Sequence, residues 1–222
     1  MQDYQHEFIE FLVEIGALKF GEFTLKSGRK SPYFFNSATF DTGYSIKRLG
    51  YFYAAQIAQI DPRATVVFGP AYKGIPLAVA AAISLNQDFG IDAGYCFDRK
   101  EAKAHGDKGL LVGNTPIEGD RIVMVDDVIT DGGTKVEAVE RLREITAAPV
   151  TDVVIALNRQ EKTANGEDPI GKLESSLGLK VHAIATIDLV LESLEGKEMG
   201  GSVVMNEEIS GRIRAYRKEY GV

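Results

Sequence analysis

The sequence is poor in the features that mark several classes of protein. It has one cysteine, Cys96, which excludes an internal disulfide and suits a reducing cytoplasm. The aromatic residues on either side of Cys96 predict a buried position on a strand. The most apolar stretch, 75–85, is too short to cross a bilayer. Residues 1–10 include acidic side chains and no long apolar run, so we expect no signal peptide and a cytoplasmic location.

Positive charge is also scarce. The formal net charge is -7 at pH 7, which argues against a general nucleic-acid-binding surface. No cluster of histidines and cysteines has the spacing of a tightly held metal site. A G-x-G-x-x-G turn is missing after the first predicted strand, which disfavours a generic dinucleotide-binding protein. We therefore expect no nucleic-acid partner, no membrane partner and no metal held tightly by protein side chains.

The 222 residues are enough for one domain with a large core, since 45% of them are hydrophobic and 26% are charged. Short apolar runs alternate with helical patterns, which predicts an α/β fold with a central, mostly parallel sheet flanked by helices. The predicted strands are 65–69, 92–97, 121–125, 151–157 and 180–185, with a hairpin from 22–26 and 32–36. The predicted helices are 3–15, 45–60, 75–86, 134–146, 171–177, 187–194 and 206–219.

The stretch 121–134, RIVMVDDVITDGGT, carries the most specific chemistry. A buried strand runs into two carboxylates, Asp126 and Asp127, and then into a glycine-rich turn that opens a helix. The amides and the dipole of a helix N-terminus bind phosphate, whereas the carboxylates just before it would repel one. This layout suits a ligand with a phosphate at one end and hydroxyls a few ångströms away, such as a ribose 5-phosphate. The alternative is that both acids only cap the helix.

A second ligand loop is predicted at 69–76, GPAYKGIP, between a strand and a helix. Gly69 and Gly74 would let the backbone approach a ligand closely, and Lys73 offers a point charge to an anion. A plain turn between the two elements is the alternative interpretation.

The segment 98–113, DRKEAKAHGDKGLLVG, lacks apolar periodicity and is long for a connection, so we predict a mobile loop. It concentrates cationic side chains in an otherwise acidic protein, namely Arg99, Lys100, Lys103, His105 and Lys108. A charge run is often only a solvated face. Here it also fits a lid that closes over a highly anionic substrate, excludes water and neutralises a departing group.

Together with 24–36, TLKSGRKSPYFFN, these three segments resemble the orotate phosphoribosyltransferases, which belong to the type I phosphoribosyltransferase family. The resemblance covers nearly the full length. It implies the fold of that family in one domain, 1–222, in which 1–40 contribute to a small hood over the base site and 98–113 form a catalytic lid. It also implies a strained peptide bond between Ala71 and Tyr72.

The resemblance assigns roles to single residues. Catalytic roles fall on Arg99, Lys103, His105 and Asp127. The residues implied to bind the phosphoribosyl diphosphate donor are Lys26, Tyr72, Lys73, Arg99, Lys100, Lys103, His105, Asp126, Asp127, Val128, Ile129, Thr130, Asp131, Gly132, Gly133 and Thr134. Those implied to bind orotate are Phe34, Phe35, Thr130 and Arg159. An arginine suits the carboxylate of orotate, and core packing is the alternative for the two phenylalanines.

The reaction implied by the resemblance joins orotate to 5-phosphoribosyl 1-diphosphate and gives orotidine 5-phosphate and diphosphate, with Mg²⁺ as cofactor. The resemblance further implies a homodimer that shares lid residues across subunits. Two alternatives stay open: a purine phosphoribosyltransferase on the same scaffold, and a non-catalytic regulator that keeps the site as a sensor. The turn TDGGT also departs from the family. It puts Gly133 where a hydroxyl residue is common, and it adds the charge of Asp131.

Overall fold

The computed structural model describes residues 2–25, 27–99 and 110–222. Its helices are α1 Asp3–Glu14, α2 Gly43–Ile60, α3 Gly74–Phe89, α4 Gly133–Ile145, α5 Pro169–Leu177, α6 Ile187–Leu194 and α7 Glu207–Tyr220. Its strands are β1 Leu18–Thr24, β2 Lys30–Phe35, β3 Val66–Phe68, β4 Gly94–Asp98, β5 Leu111–Gly113, β6 Ile122–Asp126, β7 Val150–Asn158, β8 Lys180–Thr186, β9 Glu198–Met199 and β10 Ser202–Val203. Each predicted helix and strand is therefore confirmed, with bounds shifted by a few residues. Across these described stretches, no helix is long and apolar enough to cross a membrane.

The central sheet has six strands in the order β5-β4-β3-β6-β7-β8. All neighbouring pairs are parallel except β4 and β5, which run antiparallel. The chain passes from β3 outward to β4, and then returns to place β6 on the other side of β3. This reversal of strand order makes a crevice between the carboxyl ends of β3 and β6, where open α/β sheets bind their ligands.

Strand β6 is buried on both faces, and its side chains feed two separate cores. Val123 and Val125 belong to the larger core, which includes residues of α1, α2, α3 and α6. Ile122 and Met124 belong to the smaller core, which α4 and α5 cover. Because successive strand residues point to opposite faces, this run of β-branched and apolar residues fits a strand covered by helices on both sides.

The N-terminal forty residues divide into two parts. Helix α1 contributes Phe8 and Leu12 to the larger core and packs against α2, α6 and β8. Strands β1 and β2 instead form a separate antiparallel hairpin, followed by a short 3₁₀ turn at Ser37–Thr39. The hairpin contacts helix α7. The structure thus places α1 in the main body, and the role of the hairpin as a hood stays a prediction.

The predicted loop 98–113 includes strand residues at both of its ends. Asp98 is the last residue of β4, and Leu111–Gly113 forms the edge strand β5, which pairs with Cys96, Phe97 and Asp98. The pattern missed β5 because three residues cannot display an alternation that separates a strand from a loop. The buried position predicted for Cys96 is confirmed.

Candidate active site

A cleft of about 230 Å³ opens at the crevice between β3 and β6. The loop that follows β3 forms one wall, and the first two turns of α4 form the other. Its lining residues are Pro70, Ala71, Tyr72, Lys73, Asp98, Asp126, Asp127, Thr134, Lys135, Glu137, Ala138 and Arg141. Five of the predicted donor-binding residues therefore line one cleft: Tyr72, Lys73, Asp126, Asp127 and Thr134.

The two adjacent acids each have a lysine of their own. The Asp126 Oδ2 atom lies 2.6 Å from the Lys135 Nζ atom. The Asp127 Oδ2 atom lies 2.7 Å from the Lys73 Nζ atom and also accepts a hydrogen bond from the Ser37 hydroxyl at 2.6 Å. The second oxygen of each carboxylate accepts a backbone N–H from the next residue, at 2.8 Å in both cases. The acids are thus fixed in orientation on both sides.

The environments of the two acids shift their pKa values in opposite directions. Burial raises the pKa of Asp126, and neighbouring Asp127 adds to the rise, while Lys135 opposes it. Burial also acts to raise the pKa of Asp127. The hydrogen bonds from Lys73 and Ser37, together with the charge of Lys73, outweigh burial and hold the pKa below its usual value. Asp126 is the member of the pair that depends more on its counter-ion to stay ionised.

The glycine-rich turn leads directly into α4. Gly132 has φ 81°, a left-handed conformation that favours glycine, and the helix starts at the next residue. The Gly133 N–H donates to the Asp131 Oδ1 atom at 3.1 Å. Asp131, which departs from the family pattern at this turn, therefore caps its own turn. It accepts a hydrogen bond from the Gly133 N–H, one of the amides suited to phosphate.

The two glycines of the β3–α3 loop lie against each other. A Cβ atom built on Gly69 would lie 2.0 Å from the Gly74 carbonyl oxygen, and one on Gly74 would lie 2.6 Å from the Gly69 carbonyl carbon. These residues therefore contact each other and close the loop, and a close approach of a ligand to their backbone stays a prediction. Glycine is needed here for packing within the protein.

Asp98, the first residue of the predicted lid 98–113, holds the backbone of the same loop. Its Oδ1 atom accepts the Ala71 N–H at 2.7 Å, and its Oδ2 atom accepts from the Arg141 Nη1 atom at 2.9 Å. The peptide bond between Ala71 and Tyr72 is cis, at the position where an unusual bond was expected. The backbone of the loop is thus tied to both β4 and α4. Its side chains are exposed, since Tyr72 is 73% exposed and the Lys73 side chain, which pairs with Asp127, is 70% exposed.

Arg159 lies beyond the end of β7 in a cluster of its own. Its Nε and Nη2 atoms donate to the Glu161 Oε1 atom at 3.0 and 2.7 Å. The Tyr33 hydroxyl donates to the same oxygen at 2.5 Å, and the guanidinium lies 5.2 Å from the Tyr33 ring centre. Burial acts to lower the pKa of Arg159, but Tyr33 and Glu161 raise it above its usual value.

The other predicted orotate residues also lie outside the lining of the cleft. Phe34 is exposed and stacks on Phe23, with ring centres 5.5 Å apart. Phe35 is half-buried and packs against the larger core, so core packing holds for one of the two phenylalanines. Thr130 is exposed on the turn before α4.

Four of the predicted site residues are not among the described residues. Lys26, Lys100, Lys103 and His105 lie outside the described residues. Arg99 is described but is not part of the cleft lining. Its backbone N–H donates to the Leu110 carbonyl at 2.8 Å, and its Nε atom is buried without a hydrogen-bond partner among the described residues. The same part of the chain contains no group of three or more His, Cys, Asp or Glu side chains that could hold a metal ion.

Sequence reasoning missed the partners of the functional residues, namely Ser37, Asp98, Lys135, Arg141 and Glu161. For Lys135 a signal was available. A cation in the first turn of a helix opposes the helix dipole, so a lysine directly after TDGGT called for a nearby acid. The others depend on tertiary contacts between residues far apart in the chain.

Comparison with known proteins places this site in a wide family. The model of the phosphoribosyl transferase domain matches residues 43–174, which contain both loops of the cleft. The chain is 49% identical to the orotate phosphoribosyltransferase of Thioalkalivibrio sulfidiphilus over 222 residues, covering 100% of both chains. It is 45% identical to the orotate phosphoribosyltransferase of Clostridium botulinum, covering 100% of this chain and 99% of the relative.

The structural comparison agrees. The crystal structure of orotate phosphoribosyltransferase from Francisella tularensis superposes with a TM-score of 0.83 at 35% sequence identity. The match covers 97% of this chain and 100% of that one. The likeness therefore includes the N-terminal and C-terminal segments that lie outside the domain matched by the family model.

Proposed function

This chain belongs to the orotate phosphoribosyltransferases of the phosphoribosyl transferase family, and from this premise we propose how its residues bind the two substrates and drive the transfer. The enzyme transfers the phosphoribosyl group from 5-phosphoribosyl 1-diphosphate to orotate, which gives orotidine 5-phosphate and diphosphate in pyrimidine biosynthesis. The predicted fold of the type I phosphoribosyltransferases is confirmed.

The donor spans the cleft between the two loops. Its 5-phosphate binds the amides of the turn 130–134, its ribose hydroxyls bind Asp126 and Asp127, and its diphosphate lies against Tyr72 and Lys73. The observation that carries this placement is the acid pair at the crevice, with a helix N-terminus on one side and an exposed lysine on the other. Phosphate, hydroxyl and diphosphate each meet a group of suitable chemistry.

Orotate binds beyond the end of β7, on the hairpin side of the cleft. Arg159 uses the guanidinium donors that Glu161 leaves free to hold the orotate carboxylate. Glu161 and Tyr33 keep the guanidinium plane fixed, which favours a bidentate contact. Phe34 and Phe35 border the ring together with Thr130, and Lys26 contacts the phosphoribosyl donor. A purine lacks the carboxylate that this arginine would bind, so the site favours orotate.

The transfer itself needs a stable leaving group and a sugar that tolerates positive charge. The anomeric carbon passes through an oxocarbenium-like state, and the carboxylate of Asp127 lies where it can favour that charge electrostatically. Cations of the segment 98–113, including Arg99, Lys100, Lys103 and His105, stabilise the departing diphosphate together with Lys73. Orotate reacts as its N1 anion, so no strong protein base is required.

Mg²⁺ fits this site as a cofactor that is bound mainly through substrate. Mg²⁺ prefers oxygen ligands and usually binds through one or two carboxylates together with substrate phosphates. All four oxygens of Asp126 and Asp127 already accept protein hydrogen bonds or ion pairs. The ion would therefore bind through oxygens of the donor, while these two carboxylates orient the ribose. When bound, it supplies positive charge that makes diphosphate a better leaving group.

The enzyme acts in the cytoplasm as a homodimer in which each lid reaches the neighbouring active site. Mixing two damaged variants tests this arrangement. Lys103→Ala removes a lid cation, and Asp127→Asn damages the sugar site. A mixed dimer of the two contains one site with both parts intact, so co-expression should restore activity that neither variant shows alone. Activity no higher than that of the separate variants would rule out a shared lid.

A spectrophotometric assay of orotate consumption tests the proposed substrate and cofactor roles. Absorbance should fall when donor and Mg²⁺ are both present, and chelation of the metal should stop the reaction reversibly. Hypoxanthine, guanine and adenine should give no turnover. Turnover of a purine at a comparable rate would contradict the assignment of the base site to Arg159.

A further inference from the structure

Lys135 is a buried, positively charged side chain at a position where both burial and the helix dipole disfavour positive charge. Its side chain is only 9% exposed, so its charge has lost most of its hydration. It is also the third residue of α4, where the helix dipole disfavours positive charge. Both effects are unfavourable, so this lysine needs a nearby negative charge to compensate them. Lys135 lines the cleft.

That partner is the carboxylate of Asp126, 2.6 Å from the ammonium. The other groups around this carboxylate come from several elements. Asp127 adds a second negative charge, while Lys73 forms its ion pair with Asp127. Tyr53 of α2 donates its hydroxyl to the backbone carbonyl of Asp126 at 2.6 Å, so its donated hydrogen bond does not go to the carboxylate. Lys135 is therefore the cation in direct contact with Asp126.

The charge balance of the cleft explains why this contact matters. Its lining contains four acidic side chains, Asp98, Asp126, Asp127 and Glu137, and three basic ones, Lys73, Lys135 and Arg141. Without Lys135 two adjacent, largely buried carboxylates would share one cation. Under those conditions Asp126 would lose the contact that orients its carboxylate, and burial together with Asp127 would raise its pKa further.

We propose that Lys135 is a positioning residue for the phosphoribosyl donor, which keeps the Asp126 carboxylate ionised and oriented to accept hydrogen bonds from the ribose hydroxyls. A protonated Asp126 would lose an acceptor and gain a donor, so it would hold the sugar less well. This inference rests on the proposed function, which places the sugar at Asp126.

The first test is the pH dependence of kcat/KM for the donor in Lys135→Met and Lys135→Arg. Lys135→Met keeps the length of the side chain but removes the charge. We expect kcat/KM to fall at least about tenfold at neutral pH, the scale of one charged hydrogen bond. The acid limb of the profile should move to higher pH, and activity should recover as the pH rises. Lys135→Arg should keep the wild-type acid limb. An equal loss at every pH, or no loss, would overturn the proposal.

A second test does not depend on the stability of Lys135→Met. In the Asp126→Asn background no buried carboxylate is left without its cation, so the added change Lys135→Met should alter kcat/KM for the donor by no more than about twofold. A large further loss would mean that Lys135 acts independently of Asp126, and would overturn the inference alone. If Asp126→Asn by itself leaves donor binding intact, the proposed placement of the sugar fails instead.

Discussion

The two loops that face each other across the cleft offer the donor different kinds of groups. The loop after β3 has its backbone locked by the contact of Gly69 with Gly74 and by the hydrogen bond from Ala71 to Asp98, while its side chains are exposed. The turn after β6 has the reverse arrangement. Asp126 and Asp127 are held by lysines and neighbouring amides, and Gly133 and Thr134 are exposed to solvent.

This difference matches what each end of the donor does during the reaction. The diphosphate gains charge and departs, so exposed side chains such as that of Lys73 can follow it. The 5-phosphate does not change, so fixed backbone amides at a helix N-terminus can hold it without reorganisation. Four substitutions test this comparison, ordered here from the largest expected effect to the smallest.

Gly69→Ala should have the largest effect, because it attacks the locked backbone of the first loop. The new Cβ would lie 2.0 Å from the Gly74 carbonyl oxygen, a distance that no small adjustment relieves. Overpacking of this kind costs about 1–3 kcal/mol or more, and we expect turnover to be lost. Thermal and urea unfolding measure the stability. In the control Gly211→Ala, the Cβ meets nothing within 4 Å, and the helix α7 should gain stability. A Gly69→Ala protein of wild-type stability would show that the loop is not locked.

Lys73→Met tests the exposed side chains of the same loop. In the proposed mechanism this lysine neutralises charge that develops on the departing diphosphate, so kcat should fall more than KM for the donor rises, with a combined loss of about a hundredfold. Steady-state kinetics measure both constants. Lys172→Met is the matched control, since that lysine is 61% exposed and pairs with Glu167 away from the cleft. A change in KM alone would assign Lys73 to binding of the ground state.

Arg159→Ala tests whether the base site is independent of both loops. Loss of a charged, bidentate contact should raise KM for orotate by about ten- to a hundredfold, while KM for the donor stays as it was. Arg63→Ala is the control, because its exposed side chain pairs with Asp61 on another part of the surface. Unchanged affinity for orotate would remove Arg159 from the base site.

Asp131→Asn should have the smallest effect, and it should be favourable. Asparagine keeps an oxygen that can accept the Gly133 N–H but removes a negative charge beside the amides that bind phosphate. At an exposed position the gain is on the order of 1 kcal/mol or less, seen as a lower KM for the donor. Asp131→Ala would also remove the cap, so a comparison of the two separates charge from capping. A higher KM in Asp131→Asn would mean that the carboxylate assists binding.

The sequence was sufficient for the fold but not for the contacts within the cleft. The β-branched run of β6 and its acid pair identified both the strand and the ligand edge, because periodicity and local turn chemistry are encoded by neighbouring residues. The ion pair of Asp127 with Lys73 joins residues 54 positions apart, and that of Asp98 with Arg141 joins residues 43 apart. Such pairs depend on strand order. The contact between Gly69 and Gly74 was not predicted, because a close approach of backbone looks the same in sequence whether its partner is a ligand or the chain itself.

A crystal structure with 5-phosphoribosyl 1-diphosphate and Mg²⁺ tests the central claim most directly. We expect the 5-phosphate within hydrogen-bond distance of backbone amides in the turn 130–134, the ribose hydroxyls at Asp126 and Asp127, and the diphosphate against Tyr72 and Lys73. A donor bound in the reverse orientation, or held at its 5-phosphate by side chains instead of amides, would contradict it.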